Sequence, residues 1–438
     1  MTNSRPEVGP TLILVLALIG CGGGTTASTD GAGGPWDASG GETSGKPDTG
    51  GSASLDVGSM DRAAVDAGVD AGVADIPMSS DGAIDASPDR LTVQPDAPAE
   101  VPTGTGRDGA SGATDGGPTG GRRIYAVNYN SANGSDNVTS YPASGAGDVA
   151  PIGKIAGPTT KLAGIVQLAF DGTGKAYVLG KNGLVDGTQS IEVFAAGANG
   201  DVAPIATIAG SSTGLVAAVS LAVDVAGKIY VAGSIPCATC TSATHPGIMV
   251  FAAGANGNVA PQQVIAPAVY PAVDNTGLDA GDLFIGVDAA GNIYVADSYS
   301  QKVLVFAAGA TGNVAPIRVL TGDKTLLNGC NGIAFDGTGN LFVANYNGMS
   351  VTVYPPSASG NTAPKASLAG DKTGIGYLSA FAVDSDGTVY ASGQAADSAG
   401  RTRSAILRFA TGTNGNLAPA GALVGADTEI DATSLAIH

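Results

Sequence analysis

The stretch Val250-Phe-Ala-Ala-Gly-Ala-Asn-Gly-Asn-Val-Ala-Pro261 decides the fold, because near-copies of it recur through the last 316 residues of the chain. The final proline of the phrase falls at Pro151, Pro204, Pro261, Pro316, Pro364 and Pro419, with spacings of 48 to 57 residues. A second phrase, Asp-x-x-Gly before an apolar run, interleaves with it at Asp171, Asp224, Asp288, Asp336 and Asp384. A fixed period built from short apolar runs and glycine turns predicts an all-β chain folded as a β-propeller, one blade per period.

Each period resolves into four strands. In the fourth, Phe284 to Asp288 is strand A, Ile293 to Ala296 strand B, Val303 to Phe306 strand C and Ile317 to Leu320 strand D, all β-branched or aromatic and bounded by turn residues. In the A–B turn the Asp accepts backbone N–H groups and the Gly supplies a positive φ. The recurring phrase is the C–D turn, with Pro tolerated because strand D is an edge. Both turns fall on one face of the ring, and their recurrence is what structural turns predict. The count closes: Ile124 to Asn130 is a strand B with no strand A before it, and Ser434 to His438 is a strand A with no strand B after it. Joined, they complete a six-bladed ring by one C-terminal and three N-terminal strands, which removes the open edges.

Residues 1–21 read as an export signal. Thr11 to Ile19 is an apolar core too short to span a bilayer. Leu18-Ile19-Gly20-Cys21 resembles the lipobox of bacterial lipoproteins, which implies acylation of Cys21, membrane attachment through it, and an extracytoplasmic place in the bacterial envelope, with the outer membrane favoured. Residues 22–122 form a low-complexity linker expected to be disordered. Its stretch 22–121 carries 14 Asp and 2 Glu against 1 Lys and 3 Arg, so it supplies −12 of the net charge of −18. The propeller, residues 123–438, is therefore only mildly acidic and has no basic stripe, which argues against nucleic acid as a partner. A monomer is expected.

Tyr294-Val-Ala-Asp297-Ser-Tyr-Ser300-Gln-Lys302-Val303-Leu-Val-Phe306 resembles the NHL repeat, with Ser300 and Lys302 where that pattern has Asn and Arg. Phe342-Val-Ala-Asn345 and Tyr230-Val-Ala-Gly233 are weaker copies. The resemblance implies a six-bladed binding or scaffolding platform for a protein, glycan or small-molecule ligand. Related six-bladed propellers include lactonases and lyases, so the alternative is a metal-dependent hydrolase or lyase with its site at the central channel.

The B–C and D–A loops form the other face, where the blades diverge at Gly180 to Ser190, Gly233 to Gly247, Ala266 to Asp282 and Gly393 to Ser404. Unequal loops on a rigid scaffold are the expected ligand site. Strand B ends there at Asn128, Gly180, Gly233, Asp297, Asn345 and Gly393. Asp297, Asn345 and Asn128 are expected to turn oxygens toward the axis, and alanine at Asp297 and Asn345 to weaken binding at little cost in stability. Their arrangement resembles the metal site of the regucalcin and gluconolactonase family, with Glu429 completing a set for calcium or magnesium. Tyr129, Tyr270, Tyr299 and Tyr346 are candidates to stack on a ligand. Cys237-Ala-Thr-Cys240 reads as a loop disulfide in an exported protein, with His245 nearby and Cys330 left over. Two histidines and no phosphate-binding loop leave little material for nucleophilic or acid–base catalysis. No catalytic residue is assigned.

Overall fold

The computed structural model describes residues 121–438 apart from 129–135, 182–188, 238–242, 270–273 and 280. The chain divides into Met1–Gly106 and Arg107–His438, and every described residue belongs to the second unit. The expected signal, Cys21 and the linker up to residue 120 lie outside the described residues. No helix among them is long and apolar enough to cross a membrane.

Six four-stranded antiparallel sheets form the propeller. Numbering blades from the closing one, blade 1 joins Ala432–Ile437 as inner strand A to Arg123–Asn128, Asn137–Pro142 and Gly153–Ile155. Strands A of blades 2 to 6 are Gln167–Phe170, Ala217–Val223, Leu283–Val287, Cys330–Phe335 and Phe381–Val383. These inner strands contact one another in ring order, with Ala432–Ile437 between the first and last of them. The expected closure is thus present, and in blade 4 the strand limits differ from those read in sequence by one residue.

Both faces of a blade are buried, and this explains the uninterrupted apolar runs. In blade 4, Ile293 and Val295 of strand B pack with Leu304 and Phe306 toward blade 3, while Tyr294, Ala296, Val303 and Val305 pack toward blade 5. Six such clusters, one per junction, make up the core. Apolar contact on both sides removes the polar alternation of a one-sided sheet.

The Asp-x-x-Gly turns behave as expected in four blades. Asp171, Asp224, Asp288 and Asp336 each accept an N–H from the second and fourth residues after them, at 2.9 to 3.0 Å. Asp384 differs: it pairs with Arg122 across the junction to blade 1 and accepts the N–H of Ser385.

The recurring C–D phrase is more than a turn. Its glycine forms an isolated parallel bridge to the end of strand D in the preceding blade at all six junctions, as Gly200 does with Ile155 and Gly147 with Leu423. Its second Asn or Asp then caps the segment that follows that strand. Asp148, Asp201, Asn258, Asn313, Asn361 and Asn416 accept the N–H groups of Asp427, Thr159, Ser212, Asn275, Lys324 and Lys372 at 2.7 to 2.8 Å. The receiving segment carries a phrase of its own, Gly-x-x-Thr, in five of six blades. Gly157, Gly210, Gly322, Gly370 and Gly425 have φ of 111° to 155°, and a Cβ on Gly322 would lie 2.7 Å from the Asn361 side chain. The threonine three residues on is buried and donates its hydroxyl to that glycine carbonyl, as Thr325 does to Gly322 at 2.6 Å. A side-chain oxygen on orphan N–H groups, a glycine that lets it approach and a satisfied threonine make each junction a repeated clasp. The clasp from Asp148 to Asp427 closes the ring a second time.

Candidate ligand-binding face

The loop face is dominated by two hairpins. Strands B and C run eight residues in blade 3 (Ile229–Pro236 and Thr244–Phe251) and in blade 6 (Val389–Ala396 and Thr402–Phe409), against five or six in the other blades. The stretches Gly233 to Gly247 and Gly393 to Ser404 are therefore mostly extensions of the ladder rather than loops, a correction to the sequence reading. Blades 3 and 6 are opposite in a ring of six, so the two hairpins stand across the channel mouth from each other. Both are braced. Cys237 at the end of the blade 3 strand is disulfide-bonded, and Cys240, its expected partner, lies outside the described residues. In blade 6 the tip is an Asp-x-x-Gly turn, where Asp397 accepts the N–H groups of Ala399 and Arg401 and pairs with the Arg401 and Arg403 guanidiniums at 2.9 and 2.7 Å. The Arg403 bond and these N–H groups hold the Asp397 carboxyl well below the usual range.

The strand B ends do not assemble a metal site. Asp297 and Asn345 are fully buried and Asn128 nearly so. Each caps the D–A loop of its own blade: Asp297 accepts the N–H of Asp279 at 3.1 Å, Asn345 that of Asn328 at 3.0 Å and Asn128 that of Asp431 at 2.9 Å. The remaining polar atoms are also engaged. Asp297 takes the N–H groups of Tyr299 and Ser300, Asn345 donates to Thr352, and Asn128 donates to Asn137 and Thr139. Glu429 is drawn outward to Lys154 on strand D of blade 1, at 2.6 Å. Among the described residues no group of three or more His, Cys, Asp and Glu side chains could hold a metal ion.

The three glycines at the same position solve the same problem differently. A Cβ on Gly180, Gly233 or Gly393 would lie 2.5 to 2.7 Å from a backbone carbonyl of the incoming segment, of Ala163, Ala217 and Gly374 respectively. The position either caps the incoming loop or makes room for it. In both cases it is structural.

The channel offers a cavity of about 260 Å³ lined by all six inner strands. Polar side chains of the inner strands tie strand to strand: Gln167 and Ser220 accept the N–H groups of Leu221 and Ile285, and Asn331 donates to the Leu378 carbonyl. Side chains fill much of the bore, with Ile333 and Phe381 set against Gly286 and Gly332, where a Cβ would come within 2.6 Å. Cys330, at the start of strand A in blade 5, is a free buried thiol pushed up to about 12 by burial. His245 is buried with Nδ1 2.9 Å from the Pro246 carbonyl, and His438 stacks on Phe170 beside the opposite face.

What the loop face does expose is aromatic. Tyr299 is 71 % exposed, Tyr346 39 % and Tyr377 63 %. Tyr346, in the B–C loop of blade 5, stacks on Tyr377, in the D–A loop entering blade 6, with ring centroids 5.0 Å apart. Tyr129 and Tyr270 lie outside the described residues. Beside Tyr377 opens a cavity of about 420 Å³ between blades 5, 6 and 1, lined by Met349, Tyr377, Ser379, Ser392 to Gln394, Ser404 and Asp431. Met349 reaches it from a left-handed backbone (φ 45°), the conformation of Gln301 at the matching place in blade 4. Gln301 uses its amide to bind the Ser298 carbonyl and the Gly329 N–H, whereas Met349 is left exposed at the cavity. Tyr377 and Met349 escaped the sequence reading; the signal available for Met349 was its alignment with Gln301.

No family model matches the chain, and no curated protein matches it. Among solved structures, a protein of unknown function from Bacteroides caccae is 9 % identical with a TM-score of 0.48, over 73 % of this chain and 99 % of that one. A candidate 6-phosphogluconolactonase from Bacteroides uniformis is 14 % identical with a TM-score of 0.43, over 70 % and 83 %. The periplasmic gluconolactonase of Pseudomonas aeruginosa is 13 % identical with a TM-score of 0.41, over 67 % and 84 %. Likeness at this level carries no argument about activity.

Proposed function

We propose that this chain is an extracytoplasmic binding propeller of the NHL-like kind, anchored in the bacterial envelope through a lipidated Cys21 and recognising its ligand on the B–C and D–A loop face. The observation that carries this reading is the exposed Tyr377, stacked on the exposed Tyr346 and lining a cavity of about 420 Å³ at the foot of a braced hairpin. Aromatic rings exposed on a rigid, concave surface are the side chains that recognition favours, because they offer large area at small entropic cost.

Asp297, Asn345 and Asn128, the oxygens named for the lactonase-like alternative, serve as caps of the D–A loops.

Two measurements test the proposal. Cys21→Ser should move the protein out of the membrane fraction; equal retention removes the anchor. A panel of glycans, peptides and small molecules is screened against detergent-solubilised protein, the double variant Tyr346→Ala/Tyr377→Ala, and a control, Thr338→Ala, on the Asp-x-x-Gly face. Binding lost in the double variant and kept in the control supports the loop face, and the reverse pattern contradicts it.

A further inference from the structure

We infer that the cavity between blades 5, 6 and 1 takes a neutral saccharide, one apolar sugar face lying on Tyr377, which Tyr346 backs, and the hydroxyls reaching Gln394, Ser404 and Asp431. This rests on the preceding assignment of the loop face and names the chemistry it recognises. Three observations converge on it. Tyr377 lines the cavity, is 63 % exposed and is backed by Tyr346, which stacks on it at an interplanar angle of 30°, so it offers the ligand a supported aromatic surface. Gln394, Ser404 and Asp431 line the cavity, are exposed, and their side chains bond to no other described residue. An amide, a hydroxyl and a carboxylate can each meet a hydroxyl, which both donates and accepts.

The third observation is charge. Among the described residues no Lys or Arg lines the cavity, and Asp431 is the one acidic side chain there. The basic side chains of the neighbouring hairpin, Arg401 and Arg403, are turned onto Asp397. A phosphate, a nucleic acid or an acidic polysaccharide therefore finds no cation and meets a carboxylate, which costs affinity. The cavity falls within the size range of ligand pockets, and its mix of an aromatic surface with a few convergent polar groups suits an amphipathic ring rather than a purely apolar one.

The test is calorimetry with saturation-transfer NMR on the detergent-solubilised full chain. The probes are cellobiose, maltose and N,N′-diacetylchitobiose at millimolar concentration, with digalacturonate as the acidic counterpart. The variants are Tyr377→Ala, Gln394→Ala and Asp431→Asn, each at an exposed side chain, with thermal melts to establish folding. At least one neutral probe should bind, Tyr377→Ala should weaken it about tenfold, Gln394→Ala several-fold, and digalacturonate should bind only once Asp431 is neutralised. No Tyr377-dependent signal from any neutral probe, or digalacturonate binding best to the unmodified protein, overturns the inference. Loss of a non-saccharide panel ligand in the Tyr346→Ala/Tyr377→Ala double variant would sink the saccharide and leave the loop face standing. Binding of every ligand unchanged by that variant would sink both.

Discussion

Deleting Ser434 to His438 removes most of the inner strand that closes the ring. Leu435 is 6 % exposed and sits with Ile124, Ala126, Tyr141 and Ile406 between blades 6 and 1. Its loss forfeits about 2 to 3 kcal/mol of burial, and the partly buried Ala436 and Ile437 add roughly 1 to 2 kcal/mol. The ladder pairs Ile124, Tyr125, Ala126 and Val127 with residues 437 to 434, and the Arg123 and His438 backbones exchange hydrogen bonds at 2.8 and 3.0 Å. About four such bonds at ~1 kcal/mol each bring the total to roughly 7 to 9 kcal/mol. That is comparable to the whole stability of a domain, so the truncated protein should lack a cooperative transition by circular dichroism and be cleaved throughout the propeller by dilute protease. Leu435→Ala keeps the ladder and should cost about 2 to 5 kcal/mol, readable as a lower melting temperature and urea midpoint. A truncated protein that melts within a few degrees of the intact one would refute the reasoning, because the last strand would then not be closing the ring.

Three further outcomes follow from the junctions and caps. Asn258→Ala and Asn361→Ala each remove one clasp and should cost about 1 kcal/mol, adding when combined because the two sites share no partner; no change in urea midpoint would make the clasp incidental. Asn345→Ala strands the Asn328 N–H and should cost roughly 1 to 3 kcal/mol while leaving loop-face ligand binding unchanged, the opposite of what the sequence suggested. Burial pushes the hydroxyls of Tyr141 and Tyr354, both fully buried, up to about 12 from 10.0. The folded chain then keeps these protons while the unfolded chain loses them, so stability should hold below pH 10 and fall between pH 10 and 12 by about 1.4 kcal/mol per pH unit for each tyrosine. A flat stability from pH 9 to 12 would show that these groups ionise without unfolding.

The propeller was legible because its two strongest constraints are periodic. Burial of both blade faces writes continuous apolar runs such as Ile293 to Ala296, and the turns write Asp and Gly at fixed offsets. The clasp was equally periodic but went unread. Gly157-Pro-Thr-Thr160, Gly322-Asp-Lys-Thr325 and Gly370-Asp-Lys-Thr373 look like loop punctuation until their partners in the next blade are known. The Asp-x-x-Gly of Asp397 could have revealed the long hairpin of blade 6, since it repeats the chemistry of the A–B turns.

The site was less legible because tertiary neighbours decide what a polar strand end does. Asp297 caps the N–H of Asp279, 18 residues upstream, and nothing local in Tyr-Val-Ala-Asp separates that from an oxygen aimed at the axis. Glu429, whose place in the sequence suggests a cation ligand, pairs with Lys154, 275 residues away. Tyr377 gains meaning only from Tyr346 across the junction of blades 5 and 6.

The most direct test of ligand recognition by the loop face is hydrogen exchange by mass spectrometry on the protein with and without a saturating ligand from the panel. The account predicts slowed exchange in residues 346–350, 376–379, 392–394 and 402–405, with the Asp-x-x-Gly turns at 171–174, 288–291 and 336–339 unchanged. Protection confined to those turns, or to the channel strands alone, would contradict it.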